Sequence, residues 1–380
     1  MGAAPYEVAD VLKRNHHNLK DYCASSWHLR TLYAIEKCRT SALGGHIDQC
    51  DHVSCQKLHL SYNSCRNRHC PKCQGHKKEF WIQKREEELL NTPYFHVVFT
   101  LPHAINRLCL FAPKRIYSKL FRTAWSVMKG FGDNPKFLGA QTGMVAILHT
   151  WGQNLSLHPH LHCIVPGGGI TKSGKWKLTK SKGKYLYPET QLSAVFRARF
   201  VAELRKEFKE PQSFYDQLFK HDWVVHTNQP FYGPTQVVEY LGRYTHKIAI
   251  SNHRIKNLGN NSVAFSAKDY TKNGKKYIQK LTDQEFIRRF SLHILPKGFV
   301  RIRHYGLLSS YHKKISIPLL QKQLGKLKSK PKPPLQYRLC PSCKKGKLTT
   351  VFMFDNKGPP SYWQQKLKNQ SIKPLNDKTT

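Results

Sequence analysis

The chain has 380 residues, 39% hydrophobic and 12% aromatic, which is enough for two or three domains with real cores and excludes a disordered polypeptide. Sixty-three Lys and Arg against 23 Asp and Glu leave a net charge of +40, which self-repels until a polyanion neutralises it, so nucleic acid is the expected partner. The opening MGAAPYEVADVLKRNHH lacks an apolar leader core and no run of about 18 apolar residues follows, so a soluble intracellular protein without membrane association is predicted.

Residues 1–92 form the first predicted part, a small zinc-binding, DNA-recognising domain holding seven of the eleven cysteines. In a large basic chain, cysteines at ligand spacings point to metal rather than to disulfides. CDHVSC (50–55) and CPKC (70–73) give C-x4-C, fourteen residues, then C-x2-C, so Cys50, Cys55, Cys70 and Cys73 are predicted to hold one structural zinc rather than to pack as small apolar residues. Cys38, His46, Cys65 and His69 are interleaved with them and would suffice for a second ion. SCRNRHCPKC also brings Arg66, Arg68 and Lys72 close to the metal, as a DNA-gripping module would. The charged, periodic GHKKEFWIQKREEELLNTP then reads as a linker helix stopped by Pro93.

Residues 93–311 form the second part. YFHVVFTL (94–101), GMVAILHTW (143–151) and HLHCIVP (160–166) read as strands, with a helix over 104–130 after the first. The short GQNLSLHP connection suits neighbouring antiparallel strands. WVVHTNQPF and VAFSAKDY read as further strands, and a helix is predicted between Pro234 and about His246. The expected class is α+β with a mostly antiparallel sheet.

Within HPHLHCIVPGGG, His158, His160 and His162 alternate along a strand and share one face, while Leu161, Cys163 and Val165 take the other. A lone strand histidine is ordinarily a core or surface residue, but His160 and His162 at i and i+2 can converge on one cation, with His158, Gln153 or His246 as candidate third ligands. In VVEYLGRYTHKIAISNHRI, a helix would put Tyr240 and Tyr244 on one face, either as an aromatic core stripe or as phenols beside Arg243, His246 and Lys247. Such cations favour phenolate and suit DNA phosphate. GITKSGKW imitates a phosphate loop but has Trp176 where a hydroxyl is required, and reads as a turn.

Residues 312–380 form the third part, a basic Lys/Pro-rich tail carrying CPSC (340–343), with the last twenty residues expected to be loose. From Phe286 to Phe354 there are 16 Lys or Arg and no Asp or Glu, an electrostatic footprint that favours affinity over sequence choice. Cys340 and Cys343 are half a site that could borrow His304 or His312, bridge two chains or bind nothing.

His160-Leu161-His162 resembles the HUH motif of single-strand DNA nucleases, and the paired tyrosines resemble those of the two-tyrosine rolling-circle transposases of the insertion-sequence-91 family. The resemblance extends in order through LGGHIDQCDHVSC, NSCRNRHCPKCQG, YFHVVFTLPH, HPHLHCIVPGGG, YLGRYTHKIAISN and LPKGFVRIRHYG. It implies an HUH-type antiparallel-sheet nuclease domain with helices, preceded by the zinc domain. It also implies Mg²⁺ or Mn²⁺ on His160 and His162, Tyr240 and Tyr244 as nucleophiles, and a 5′-phosphotyrosine intermediate without a nucleotide cofactor. The implied substrate is single-stranded or hairpin element ends in the bacterial cytoplasm, at the nucleoid, with a host helicase for unwinding. The C-x4-C spacing of Cys50 and Cys55 departs from the C-x2-C expected of the family. Rival readings are an HUH replication initiator or relaxase, a cut-and-paste transposase with acidic metal ligands, and a non-catalytic zinc-dependent DNA-binding protein.

Overall fold

A computed structural model describes residues 4–73, 81–181, 184–228, 236–237, 242, 249–269, 272–325 and 338–371. The strands are β1 Gly45–Cys50, β2 Leu58–Tyr62, β3 Tyr94–Thr100, β4 Gly143–Trp151, β5 Leu157–Pro166, β6 Gly168–Ile170, β7 Trp176–Leu178, β8 Val225–Thr227, β9 Ile255–Gly259, β10 Ser262–Asp269, β11 Lys275–Thr282, β12 Ile302–Gly306 and β13 Leu348–Phe354. The described α-helices are α1 Val8–Arg14, α2 Ser26–Glu36, α3 Asn106–Phe111, α4 Pro113–Asp133, α5 Glu189–Arg205, α6 Gln212–Phe219, α7 Asp283–Ser291, α8 Lys313–Leu324 and α9 Ser361–Ser371. The fold is α+β. None of these helices is long and apolar enough to cross a membrane.

A five-stranded antiparallel sheet in the order β12-β4-β5-β3-β8 sits at the centre. Strand alternation divides its side chains. Phe95, Val97, Phe99, Leu161, Cys163 and Val165 join the largest core cluster with Ile116 and Leu120 of α4 and Phe196 and Phe200 of α5. On the opposite face Val145, Ile147 and Ile164 share a second buried cluster with Leu89, Val237, Ile317 and Leu320, and the histidines occupy that same face further along the strands. The helix expected over 104–130 breaks into α3 and α4 at Ala112, because Pro113 has no N–H to donate and instead starts α4. Gly306 ends β12 with φ +58, and a Cβ there would lie 2.2 Å from the Thr142 carbonyl, so the close approach of β12 to β4 requires glycine.

Contacts cross the three-part division drawn from sequence order. Val11, Leu12, Leu32 and Ile35 from α1 and α2 share a third core cluster with Ile255, Val263, Phe265, Phe286 and Phe290. At the other end β13 pairs antiparallel with β1, completing a three-stranded β13-β1-β2 sheet. The basic tail therefore supplies an edge strand to the sheet of the first part. Part of the stretch expected to be loose is the helix α9, whose Trp363 stacks on Phe352 and whose Gln370 side chain accepts the Leu58 N–H at 2.7 Å.

One buried histidine, His293, and one half-buried one, His304, should make the fold acid-sensitive. His293 bridges Thr150 Oγ1 at 3.1 Å and the Leu155 carbonyl at 3.0 Å, and burial pushes its pKa down to about 4. His304 is lowered to about 4 by burial and by the neighbouring Arg85 and Lys313 charges. In the unfolded chain both titrate near about 6.5. Their stabilising effect is therefore complete above that value and is lost as pH falls towards 4, because the unfolded state takes up protons that the folded state refuses. Thermal unfolding between pH 7 and 4 should show a falling midpoint, and His293→Gln should make the fall shallower. An equal slope in the variant would contradict the assignment.

Candidate metal centres and nucleic-acid interface

The register of β4 against β5 sets His149 directly opposite His160, and the side-chain nitrogens of His149, His160 and His162 all lie within 4.8 Å of one another. His160 Nε2 is 3.2 Å from His162 Nε2, close to the roughly 3 Å separating two imidazole nitrogens bound about 2.1 Å from one ion. Burial lowers the His160 pKa to about 4, so its ring is neutral and keeps a lone pair near neutrality. His160 Nδ1 lies 2.7 Å from the His158 carbonyl, which can only accept, so Nδ1 carries the proton and Nε2 faces the cluster. The third histidine of the cluster is thus His149 rather than His158. His158 contributes its carbonyl. Behind His162, its Nδ1 meets His96 Nε2 at 2.8 Å, and His96 Nδ1 meets the Asn228 amide at 2.6 Å. Tyr240, Tyr244, Arg243, His246 and Lys247 lie outside the described residues.

The cysteines group differently from the sequence expectation. Cys38, Cys65, Cys70 and Cys73 form one cluster, and Cys50, Cys55, Cys340 and Cys343 form another. Cys38 and Cys65 each approach Cys73, at 3.4 and 3.6 Å, while Cys50 meets Cys343 at 3.6 Å and Cys55 meets Cys340 at 3.9 Å. Sulfurs held tetrahedrally about 2.3 Å from zinc would be about 3.8 Å apart, so both clusters fit that ion. The Gly346 and Lys345 N–H groups lower the Cys343 thiol to about 6, favouring the thiolate that zinc binds. A Cβ on Gly346 would lie 2.4 Å from Cys50 Sγ, so the turn must be glycine for the two halves to meet.

His46 and His69 belong to neither cluster. His46 Nδ1 is 3.3 Å from Asn63 Oδ1 and its Nε2 3.5 Å from Asp48. His69 Nε2 accepts the Leu295 N–H at 3.0 Å in a buried site that lowers its pKa to about 3. His304, a candidate partner for Cys340 by sequence, instead faces Arg85 at 3.4 Å. Two of the expected DNA-gripping residues have partners within the protein: Arg68 donates to the Phe299 and Pro296 carbonyls, and Lys72 pairs with Glu7. Arg66 is exposed.

Residues 143–315 match a family model described as "Putative transposase", and residues 11–101 match one described as "Transposase zinc-binding domain". The chain is 39% identical over 392 residues to "Putative transposase y4qJ" of Sinorhizobium fredii, covering 94% of this chain and 98% of that relative. It is 27% identical over 311 residues to "Transposase for insertion sequence element IS801" of Pseudomonas savastanoi, covering 77% of this chain and 73% of the relative. No solved structure matches the chain. The zinc-binding model, the length of the match to these relatives and the antiparallel histidine centre agree, and the chain belongs to the insertion-sequence-91 family of transposases.

Proposed function

We propose that this transposase is an HUH-type nuclease and strand transferase that cuts single-stranded DNA ends through a 5′-phosphotyrosine in rolling-circle transposition. The observation that carries the reading is the convergence of His149, His160 and His162 on one face of an antiparallel sheet. These residues would hold Mg²⁺ or Mn²⁺, which when bound supplies Lewis-acid polarisation of the scissile phosphate. Tyr240 or Tyr244 attacks. The phenolic oxygen bonds to phosphorus as the P–O3′ bond breaks, and the departing 3′-oxygen takes up a proton. Val237, buried in one cluster with Ile147 and Ile164, brings the chain to the histidine face three residues before Tyr240, which supports the pairing of metal and phenol. Arg243 and Lys247 would bind the phosphate backbone, with Arg66 contributing from the zinc domain. Zinc in the two cysteine clusters is a structural ion, and the substrate is single-stranded or hairpin element ends opened by a host helicase at the nucleoid.

Labelled single-stranded element ends incubated with the chain and Mn²⁺ should become covalently attached to protein. Unattached label in the presence of tight DNA binding would instead support a non-catalytic binding protein. His149→Ala should weaken Mn²⁺ binding, read by electron paramagnetic resonance, by at least about 10-fold. Affinity equal to that of the unaltered chain would remove His149 from the centre.

A further inference from the structure

We propose that His96, Asn228, His226 and Glu189 form a hydrogen-bonded relay that fixes the tautomer of His162 and so keeps its Nε2 open for the cation. The proposal rests on the metal-centre reading above and adds its supporting residues. His162 Nδ1 is 2.8 Å from His96 Nε2, Asn228 Nδ2 is 2.6 Å from His96 Nδ1, Asn228 Oδ1 is 2.8 Å from His226 Nε2, and His226 Nδ1 is 3.3 Å from Glu189 Oε1. Each group therefore meets the next, from the buried sheet to the surface.

The two ends determine the polarity. A carboxylate only accepts, so His226 Nδ1 carries a proton towards Glu189 and its Nε2 accepts. Asn228 then donates its amide N–H to His226 and accepts through oxygen from His96 Nδ1–H, a half-turn that exchanges two nearly equivalent amide atoms. His96 Nε2 is left to accept from His162 Nδ1–H, and the His162 lone pair falls on Nε2, beside His160 Nε2. The reverse polarity fails at both ends. It sets an unprotonated His226 nitrogen against a carboxylate and puts a proton on His162 Nε2, where the cation must bind.

Backbone pairing holds the relay in place. β8 pairs with β3, and the Asn228 N–H donates to the His96 carbonyl at 2.9 Å, so the amide and imidazole are fixed by main chain. The Thr227 N–H also donates to Glu189 Oε1, anchoring the carboxylate at the start of α5. His160 reaches the same tautomer more simply, through the His158 carbonyl. Both ligands are thereby oriented by an acceptor that cannot donate.

These are positioning residues, tested by Mn²⁺ affinity in the full-length, zinc-loaded chain, with zinc content reporting that each variant is folded. His96→Phe and Asn228→Ala should each weaken Mn²⁺ binding by about 10- to 100-fold. Asn228→Asp places an acceptor-only group at the same position and should bind within about threefold of the unaltered chain, a rescue that a merely structural role for Asn228 does not predict. Nitrogen NMR of His162 should show the proton on Nδ1. Unchanged affinity in Asn228→Ala, or Asn228→Asp as weak as Asn228→Ala, would overturn the relay while leaving the metal centre standing. Failure of the unaltered chain to bind Mn²⁺ at all would overturn both.

Discussion

Phenylalanine at both Tyr240 and Tyr244 is expected to eliminate covalent capture of single-stranded DNA and to lower nicking by at least about 10³-fold, with DNA affinity held within about threefold. The substitution removes two oxygens and leaves the rings, so stacking with unpaired bases persists. The net charge of +40 that draws the phosphate backbone is also unchanged. A single substitution should behave differently from the pair: if each phenol serves a separate strand transfer, either variant alone retains one cleavage and loses the completed joining reaction. Nicking by the double variant at the rate of the unaltered chain would mean that some other nucleophile, or water, does the chemistry. Loss of nicking and binding together would point to a role for the phenols in holding DNA.

The histidine strand was legible because its signal is local. A period of two over HPHLHCIVP assigns His160 and His162 to one face and Leu161 and Cys163 to the core, and the structure keeps that division. His149 was not legible from spacing, since its place opposite His160 comes from cross-strand register and not from distance along the chain. The cysteines show the same limit more strongly. Four thiolates within residues 50–73 satisfied the expected spacing, yet Cys50 at the end of β1 and Cys55 after it meet Cys343 and Cys340, 293 and 285 residues further along. His69 resembled a ligand in sequence, but burial against Leu295 makes it a core histidine. Periodicity along one strand thus names His160 and His162 as neighbours, whereas the placing of His149 beside them depends on pairing between strands.

Replacing Cys340 and Cys343 together by serine is expected to lower zinc content from two ions per chain to one and to lower the thermal unfolding midpoint by about 5–10 °C. The second cluster joins β1 to the turn before β13, closing a loop of 285 residues between Cys55 and Cys340. By the chain-entropy argument a cross-link of that span is worth on the order of 5 kcal/mol, although β1–β13 pairing already holds much of the geometry and the measured loss should be smaller. The effect should be local. Hydrogen-exchange protection should fall in Leu348–Phe354 and in β1 first, while the central sheet keeps its protection. Serine at Cys38 and Cys65 should remove the other ion and instead loosen the cluster in which Cys38 and Cys70 pack with Leu32 and Ile35. Two zinc ions remaining in the Cys340 and Cys343 double variant would mean that the distant knuckle is no ligand, and that β13 is held to the first sheet by strand pairing alone.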